Sequence, residues 1–219
     1  MREVRSIDMT RPLTWSEAIE LEIDFCVWVL LRDGLRVPPF DSHREGSGEL
    51  RAAGLTAPDW RDWLERVVVA QGTLSQRVRT VGDLSRLAPG DATNLARHLD
   101  RARPPNVWNG AETVGERLRS LWLEYEPEGE AWRRQVIDAG GPVDLSPPER
   151  GRLWEAIDVE RTAGRTLATY LVRYATPVVD ALSPDVLVVS LGGEHTAHVY
   201  LRLLRQGIAR LESLPKPGG

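Results

Sequence analysis

The stretch from Asp185 to His198 has the residue types and the order of a ligand-binding turn. Its sequence, DVLVVSLGGEHTAH, is an apolar run that ends at two glycines and leads into a helical pattern with two histidines. A helix that follows such a turn offers free backbone N–H groups and a positive dipole end, so α/β proteins often bind anions there. The residues expected to line a ligand site, if the chain has one, are Gly192, Gly193, Glu194, His195, His198 and Arg202.

The histidines of this turn decide which chemistry it could support. His195 and His198 stand three positions apart and so project from one helical face, which also carries Arg202 and Arg205. Two histidines and a carboxylate are enough for a catalytic zinc or iron site. The preferred interpretation is the polar face of an amphipathic helix, so we predict no metal, no cofactor and no catalytic residue. Further possible metal ligands, if they converge on these histidines, are Asp41, His43 and Glu45.

Two short segments carry a family resemblance. The sequence LGGEHTAH resembles the glycine-glycine-acid-histidine loop of the arginase and agmatinase family, whose histidine is a manganese ligand. Asp41 to Glu45 resembles that family's Asp-Ala-His-x-Asp metal motif. The family places the glycine loop before the Asp-His motif, whereas this chain has the reverse order and no counterpart of the later aspartate-rich signature. The chain is therefore not assigned to the family.

Trp108 is the residue expected to contact a partner protein. Most of the eight tryptophans fall on apolar stripes of predicted helices, where core packing explains them. Trp108 instead lies in the proline-rich and asparagine-rich segment RPPNVWNG. An aromatic side chain in such a loop is either a binding anchor or a plug over the core. Either role predicts partial exposure of Trp108, in contrast to Trp28 and Trp122, which are predicted to be buried.

The segment from Arg77 to Arg103 has a surplus of positive charge. It holds six arginines and His98 against three aspartates, so it could contact phosphates through counterion release. A solvated helix face with local ion pairs is the preferred interpretation, because no aromatic residues suited to base stacking are interleaved. Nucleic-acid binding is therefore possible but not indicated.

Composition limits the class of protein. The chain of 219 residues is 42% hydrophobic and 27% charged, enough to bury a core, and its net charge of -4 gives no general attraction to polyanions. Its longest strongly apolar run, Phe25 to Leu31, is far below the ~20 residues that span a bilayer, and no signal-peptide pattern precedes it. The lone Cys26 lies in that run and is expected to be buried. We expect a cytoplasmic protein, with no membrane association.

Helix signals dominate the first two thirds. Thr14-Trp-Ser-Glu17 has the pattern of a capping box and predicts a helix from about Trp15 to Asp33, ended by Gly34. Thr56 is predicted to cap a second helix, with Pro58 and Asp59 in its first turn. Further predicted helices span residues 90–102, 112–125, 128–139 and 148–161, separated by prolines and glycines.

The last third changes character. Residues 167–174 and 185–191 read as two strands, and residues 194–214 as a helix. Two strands alone are marginal, so either further strands from residues 65–85 or shielding by helices is expected. The predicted fold class is α+β, with a predominantly helical body at 1–162, a small C-terminal β-β-α unit at 163–214 packed on it as one compact domain, and a flexible tail at 215–219.

These observations rank three functions. The first is a non-enzymatic interaction or adaptor protein, a subunit of a larger bacterial cytoplasmic assembly, because the helical core is well specified and no catalytic group of residues is coherent. The second is a small ligand-binding or metal-binding enzyme that uses the turn from Gly192 to His198. The third is a nucleic-acid-associated subunit that uses the segment from Arg77 to Arg103.

Overall fold

The computed structural model describes residues 14–41, 45–81, 89–138, 166–183, 185–192 and 197–213. They form an α+β fold with a helical body and, towards the C-terminus, three strands followed by a helix, which confirms the predicted class. The chain divides into two compact units, residues 20–131 and residues 1–19 with 132–219. The predicted boundary at 162/163 and the tail at 215–219 lie outside the described residues.

The elements in chain order are β1 (Thr14–Ala18), α1 (Leu21–Asp33), β2 (Arg36–Val37), β3 (Phe40–Asp41), α2 (Glu49–Ala52), α3 (Ala57–Val81), α4 (Pro89–Ala102), α5 (Pro104–Val107), α6 (Glu112–Asp138), β4 (Thr166–Leu171), β5 (Pro177–Ser183), β6 (Val186–Leu191) and α7 (Ala197–Ser213).

The predicted helix start at Thr14 is wrong. Residues 14–18 form β1, which pairs in parallel with β4, so that Thr14 lies opposite Thr166 and Ala18 opposite Tyr170. The helix begins at Leu21, six residues after the predicted first residue Trp15, and its N-cap residue Glu20 makes no side-chain capping bond. Hydrogen bonding to a distant strand satisfies the backbone of residues 14–18 and overrides the local capping pattern.

Helix α1 is the centre of the helical unit. Most of its apolar run is buried, with Phe25, Cys26 and Val27 at 0% exposure, because the sequence leaves no polar face there. Gly34 ends the helix in the left-handed conformation, as predicted. Trp28 was predicted to be buried but is only half-buried. Its ring lies beneath the side chain of Arg32, and the guanidinium carbon of Arg32 is 5.0 Å from the ring centroid.

The predicted start of α3 is confirmed. The Thr56 hydroxyl lies 3.3 Å from the Asp59 backbone N–H and accepts its hydrogen bond, while the Asp59 carboxylate accepts from the Thr56 backbone N–H at 3.1 Å. Leu55 and Trp60 on either side are buried. The helix continues to Val81, so residues 65–81 form no strand, and the apolar run VVVA belongs to a helix that buries Val67 and Val68.

Helices 112–125 and 128–139, predicted as separate, are one helix. Pro127 lies inside α6 on an exposed position. Proline removes one helical hydrogen bond, and the carbonyl it leaves unpaired belongs to Leu123, which is also exposed. Water can bind that carbonyl, so the helix continues across the proline.

The second unit is built on a four-stranded sheet of order β1-β4-β6-β5. Strands β1, β4 and β6 are parallel neighbours, and β5 pairs antiparallel with β6 at the edge. The two predicted strands correspond to β4 and β6, whereas β5 lies in the segment between them, for which no strand was predicted. Pro177 is the first residue of β5, which is an edge strand. Proline lacks a backbone N–H, and a sheet tolerates this at the first residue of a strand and on an edge strand.

Helix α7 covers one face of this sheet. Leu187 and Val179 pack against it with Leu203 and Leu204, all of them buried. A Cβ atom added at Gly207 would lie 2.8 Å from the side chains of Leu187 and Val179. The helix therefore approaches the sheet closely at this glycine, which fixes α7 with its opposite side toward solvent.

Candidate functional site at the end of strand β6

The candidate site begins where the parallel strands end. Strands β4 and β6 run in the same direction, so the residues after Leu171 and after Leu191 meet at one edge of the sheet. The turn after β6 is the one that the sequence singles out. Its described part is Gly192, while Gly193, Glu194 and His195 lie outside the described residues.

Gly192 is held by the neighbouring strand and turn. Its backbone N–H donates to the Ser190 hydroxyl oxygen at 3.1 Å, and that hydroxyl donates to the Tyr174 carbonyl at 2.9 Å. The glycine has φ of 62°, and a Cβ atom there would lie 2.8 Å from Cδ of Pro177. Positive φ and the close approach to residues 175–177 both require glycine. The positive φ of Gly192 serves the packing of the turn, and its N–H group is hydrogen-bonded within the protein, so neither feature requires a ligand to explain it.

The solvent side of α7 carries the other predicted site residues. His198, Arg202 and Arg205 are exposed and follow one another at intervals of four and three residues, so they form one stripe. Gln206 and Ala209 extend it, and both are exposed. We call these five residues the α7 outer face. Tyr200 and Leu204, on the opposite side of the helix, are buried against the sheet.

The charged side chains of the α7 outer face are Arg202 and Arg205, both positive. Residues 197–211 include three arginines and no aspartate or glutamate. Arg210 is directed elsewhere, because its guanidinium donates to the Val179 carbonyl at 2.5 Å. Arg202 and Arg205 form no ion pair with any other described residue. Their guanidinium groups are available for bidentate bonds to carboxylates or phosphates.

The second group of possible metal ligands is only partly described. Asp41 ends strand β3, Glu45 is exposed, and His43 lies outside the described residues. His43 and His195 both lie outside the described residues, so the structure does not test whether they converge with His198. Within the described ranges, no group of three metal-ligating side chains occurs.

Trp108 is enclosed by its own loop. Its indole N–H donates to the Ala111 carbonyl at 2.9 Å, and its half-buried ring meets Trp63 edge to face with centroids 6.2 Å apart. A Cβ atom at Gly110 would lie 2.3 Å from the ring, and one at Gly115 would lie 3.1 Å away. The predicted partial exposure is present, and these contacts favour the plug over the binding anchor.

The basic segment is partly neutralised where it is described. Arg97 and Arg101 are exposed on α4. Arg103 lies 3.9 Å from Asp100 and 3.7 Å from Glu126, so its charge is partly compensated. The side chains of residues 77, 79 and 86 are outside the described part. Three of the six arginines have described side chains, Arg97, Arg101 and Arg103, and all three are exposed.

One buried polar pair was not anticipated from the sequence. The Tyr125 hydroxyl donates to the Asp24 carboxylate at 2.7 Å, and Asp24 is 1% exposed. Phe25, Trp122 and Tyr125 pack around the pair with ring centroids 5.1 to 5.8 Å apart. Rings at these distances touch one another and leave no space for a ligand. The only available signal was an aspartate inside a predicted buried helix.

The same cluster contains two further constrained groups. Burial raises the pKa of the Cys26 thiol well above its ordinary value, and the nearby carboxylates of Glu22 and Asp24 raise it further. A thiol in this state is a packing group and a poor nucleophile. The Trp122 indole N–H is buried without a hydrogen-bond partner in the described structure, a cost that the packing of its ring offsets.

No helix among the described residues is both long enough and apolar enough to cross a membrane. No protein-family model, curated protein or solved structure matches the chain.

Proposed function

We propose that the chain is a non-enzymatic adaptor, a subunit of a larger bacterial cytoplasmic assembly, which binds a partner protein through the α7 outer face. The observation that carries this proposal is the contrast between the two sides of α7. One side is buried against the sheet, and the other presents Arg202 and Arg205 to solvent with no ion pair to a described residue.

The surroundings of α7 support a docking role. The helix is fixed on a sheet, so its arginines project from a rigid element and lose little backbone freedom on binding. Arginine is enriched at protein interfaces because its planar guanidinium bonds and stacks at the same time. Ala209 adds a small exposed side chain beside Arg205, which lets a partner approach the helix closely.

A ligand-binding enzyme that uses the turn after β6 is the second candidate. Its supporting observation is the position of the turn at the carboxyl ends of parallel strands, where α/β proteins commonly bind ligands. The N–H group of Gly192 is already engaged by Ser190, which removes one of the donors that an anion would use. The adaptor proposal is therefore preferred.

The test uses a photo-crosslinking amino acid at Gln206, which is exposed on the α7 outer face and leaves both arginines intact. The matched control places it at Ser120, an exposed position on α6. We expect a discrete adduct with one protein from position 206 and none from position 120. The crosslinked protein, once identified by mass spectrometry and purified, should form a complex with the wild-type chain in size-exclusion chromatography.

Charge reversal provides the second arm. Arg202→Glu/Arg205→Glu should abolish that complex while leaving the circular dichroism spectrum unchanged, because both side chains are exposed. Equal adducts from the two crosslinking positions, or a complex unaffected by charge reversal, would contradict the proposal. A thermal-shift response to a nucleotide, phosphate or divalent metal that disappears in His195→Ala/His198→Ala would favour the second candidate.

A further inference from the structure

We infer that the partner of the α7 outer face is an acidic helix, which presents carboxylates at a spacing of one helical turn. This inference rests on the proposed function and names the chemistry of the partner. Its basis is the arrangement of His198, Arg202 and Arg205, all exposed on one stripe of a helix whose other side is buried.

The charge of the stripe selects an anionic partner. The single acidic residue of α7, Glu212, stands seven positions after Arg205, so neither Arg202 nor Arg205 has an acidic residue three or four positions away within the helix. Amphipathic surface helices commonly alternate charges, since pairs of opposite sign at i and i+4 stabilise them. This helix forgoes that stabilisation on its outer face, where the carboxylates of a partner would supply it.

The spacing selects a helix over an irregular segment. A helix rises 1.5 Å per residue, so His198 and Arg202 are ~6 Å apart along the axis, and Arg202 and Arg205 ~4.5 Å apart. Glutamates at positions i, i+4 and i+7 of a second helix repeat this pattern. The side chains of Gln206 and Ala209 are neutral and continue the contact without adding repulsion.

The same features disfavour a nucleic acid. Two arginines make few phosphate contacts, and the chain carries a net charge of -4, which repels a polyanion at long range. Neither Gln206 nor Ala209 offers an aromatic ring for base stacking. Nucleic-acid binding is therefore an outcome that the experiment must separate from the proposal.

The experiment measures fluorescence anisotropy with three labelled probes. The first is a helical peptide with glutamates at i, i+4 and i+7, the second is a peptide of the same composition with the glutamates clustered, and the third is single-stranded DNA of equal charge. We expect the full chain to bind the first peptide more tightly than the other two probes. Arg202→Glu/Arg205→Glu should weaken this binding by about tenfold, because each exposed ion pair contributes a few-fold.

The control reverses the same number of charges on the other unit. Arg97 and Arg101 are exposed on α4 and lie one helical turn apart, as Arg202 and Arg205 do, so Arg97→Glu/Arg101→Glu changes the net charge equally. At 0.15 M salt, which screens the long-range effect of the changed net charge, we expect Arg97→Glu/Arg101→Glu to bind the spaced peptide with an affinity within about twofold of wild type. Equal losses in both double variants at 0.15 M salt would overturn the inference, as would tighter binding of DNA or no binding of the spaced peptide.

A further pair of variants separates this inference from the proposed function. Arg202→Lys/Arg205→Lys keeps the charge, whereas Arg202→Gln/Arg205→Gln removes it. If the partner is acidic, the lysine variant should still form the complex with the crosslinked protein. The glutamine variant should form a weaker complex, and high salt should weaken the complex of the wild-type chain. The opposing result is a complex that is lost on Arg202→Glu/Arg205→Glu, is retained in the glutamine variant and is insensitive to salt. That result would support the α7 outer face as the docking surface and would overturn the inference that its partner is an acidic helix.

Discussion

The hydroxyl of Tyr125 donates a hydrogen bond of 2.7 Å to the carboxylate of Asp24, which lies 101 residues earlier in the chain. The bond joins α6 to α1 within a cluster of aromatic rings. A carboxylate that is 1% exposed keeps its charge at a high cost unless it accepts hydrogen bonds. The pair therefore links two helices by a contact that neither helix could form alone.

Replacing Tyr125 with phenylalanine should destabilise the helical unit. The substitution removes one donor to a buried carboxylate and keeps the ring, so we expect the free energy of unfolding in urea to fall by about 1.5 to 3 kcal/mol. A double-mutant cycle with Asp24→Asn isolates the pair. Additive losses in the double variant would show that the two side chains do not interact in solution.

Replacing Thr56 with alanine should lower stability by about 1 kcal/mol, because the hydroxyl caps the first turn of α3. Thr56→Ser keeps the hydroxyl and serves as the matched control, with an unfolding free energy close to that of the wild type. The measurement is the denaturation midpoint in urea. Equal midpoints for the alanine and serine variants would show that the cap contributes nothing.

Two glycine-to-alanine substitutions should have opposite signs. Gly192→Ala is strained by φ of 62° and by an approach of 2.8 Å to Pro177, so we expect a loss of about 1 to 3 kcal/mol. Gly72 is exposed within α3 with no atom near a new Cβ, and Gly72→Ala should gain about 0.5 to 1 kcal/mol from helix propensity. Thermal unfolding of both variants checks the signs, and a neutral Gly192→Ala would mean that the turn adopts another conformation.

Burial of the Cys26 thiol should lower the free energy of unfolding at alkaline pH. Burial, followed by the charges of Glu22 and Asp24, raises its pKa in the folded state. Above about pH 8.5 the unfolded chain loses this proton and the folded chain retains it, so the free energy of unfolding falls by up to about 1.4 kcal/mol per pH unit. Cys26→Ala should be less stable at neutral pH and should lack this component. Rapid alkylation of Cys26 in the native protein would contradict its burial.

Sequence patterns located elements well where the signal was local. The Thr56 box and the glycine end of α1 depend on a few neighbouring residues, and both were predictable. Thr14 has a similar pattern but belongs to a strand, because its partner is β4 and no local pattern contains that information. Pro127 was predicted to break a helix, yet it occupies an exposed position where solvent can reach the carbonyl that has lost its helical hydrogen bond.

The candidate site shows the same division. The polar face of His198 and Arg202 follows from helical spacing and was predictable from the sequence. The engagement of Gly192 by Ser190 and by the turn at residues 175–177 was not, because it arises from strands that approach only in the folded sheet. The pairing of Asp24 with Tyr125 likewise depends on how two distant helices pack.

The pairing of β1 with β4 has a consequence for how the chain folds during synthesis. Strand β1 is made before its parallel partner β4, which follows about 150 residues later, so the two strands cannot pair until β4 has left the ribosome. The helical unit between the two strands can become ordered in the meantime. For this interval β1 is an unpaired β-forming segment, and chaperone binding or mispairing between nascent chains would act at residues 14–18.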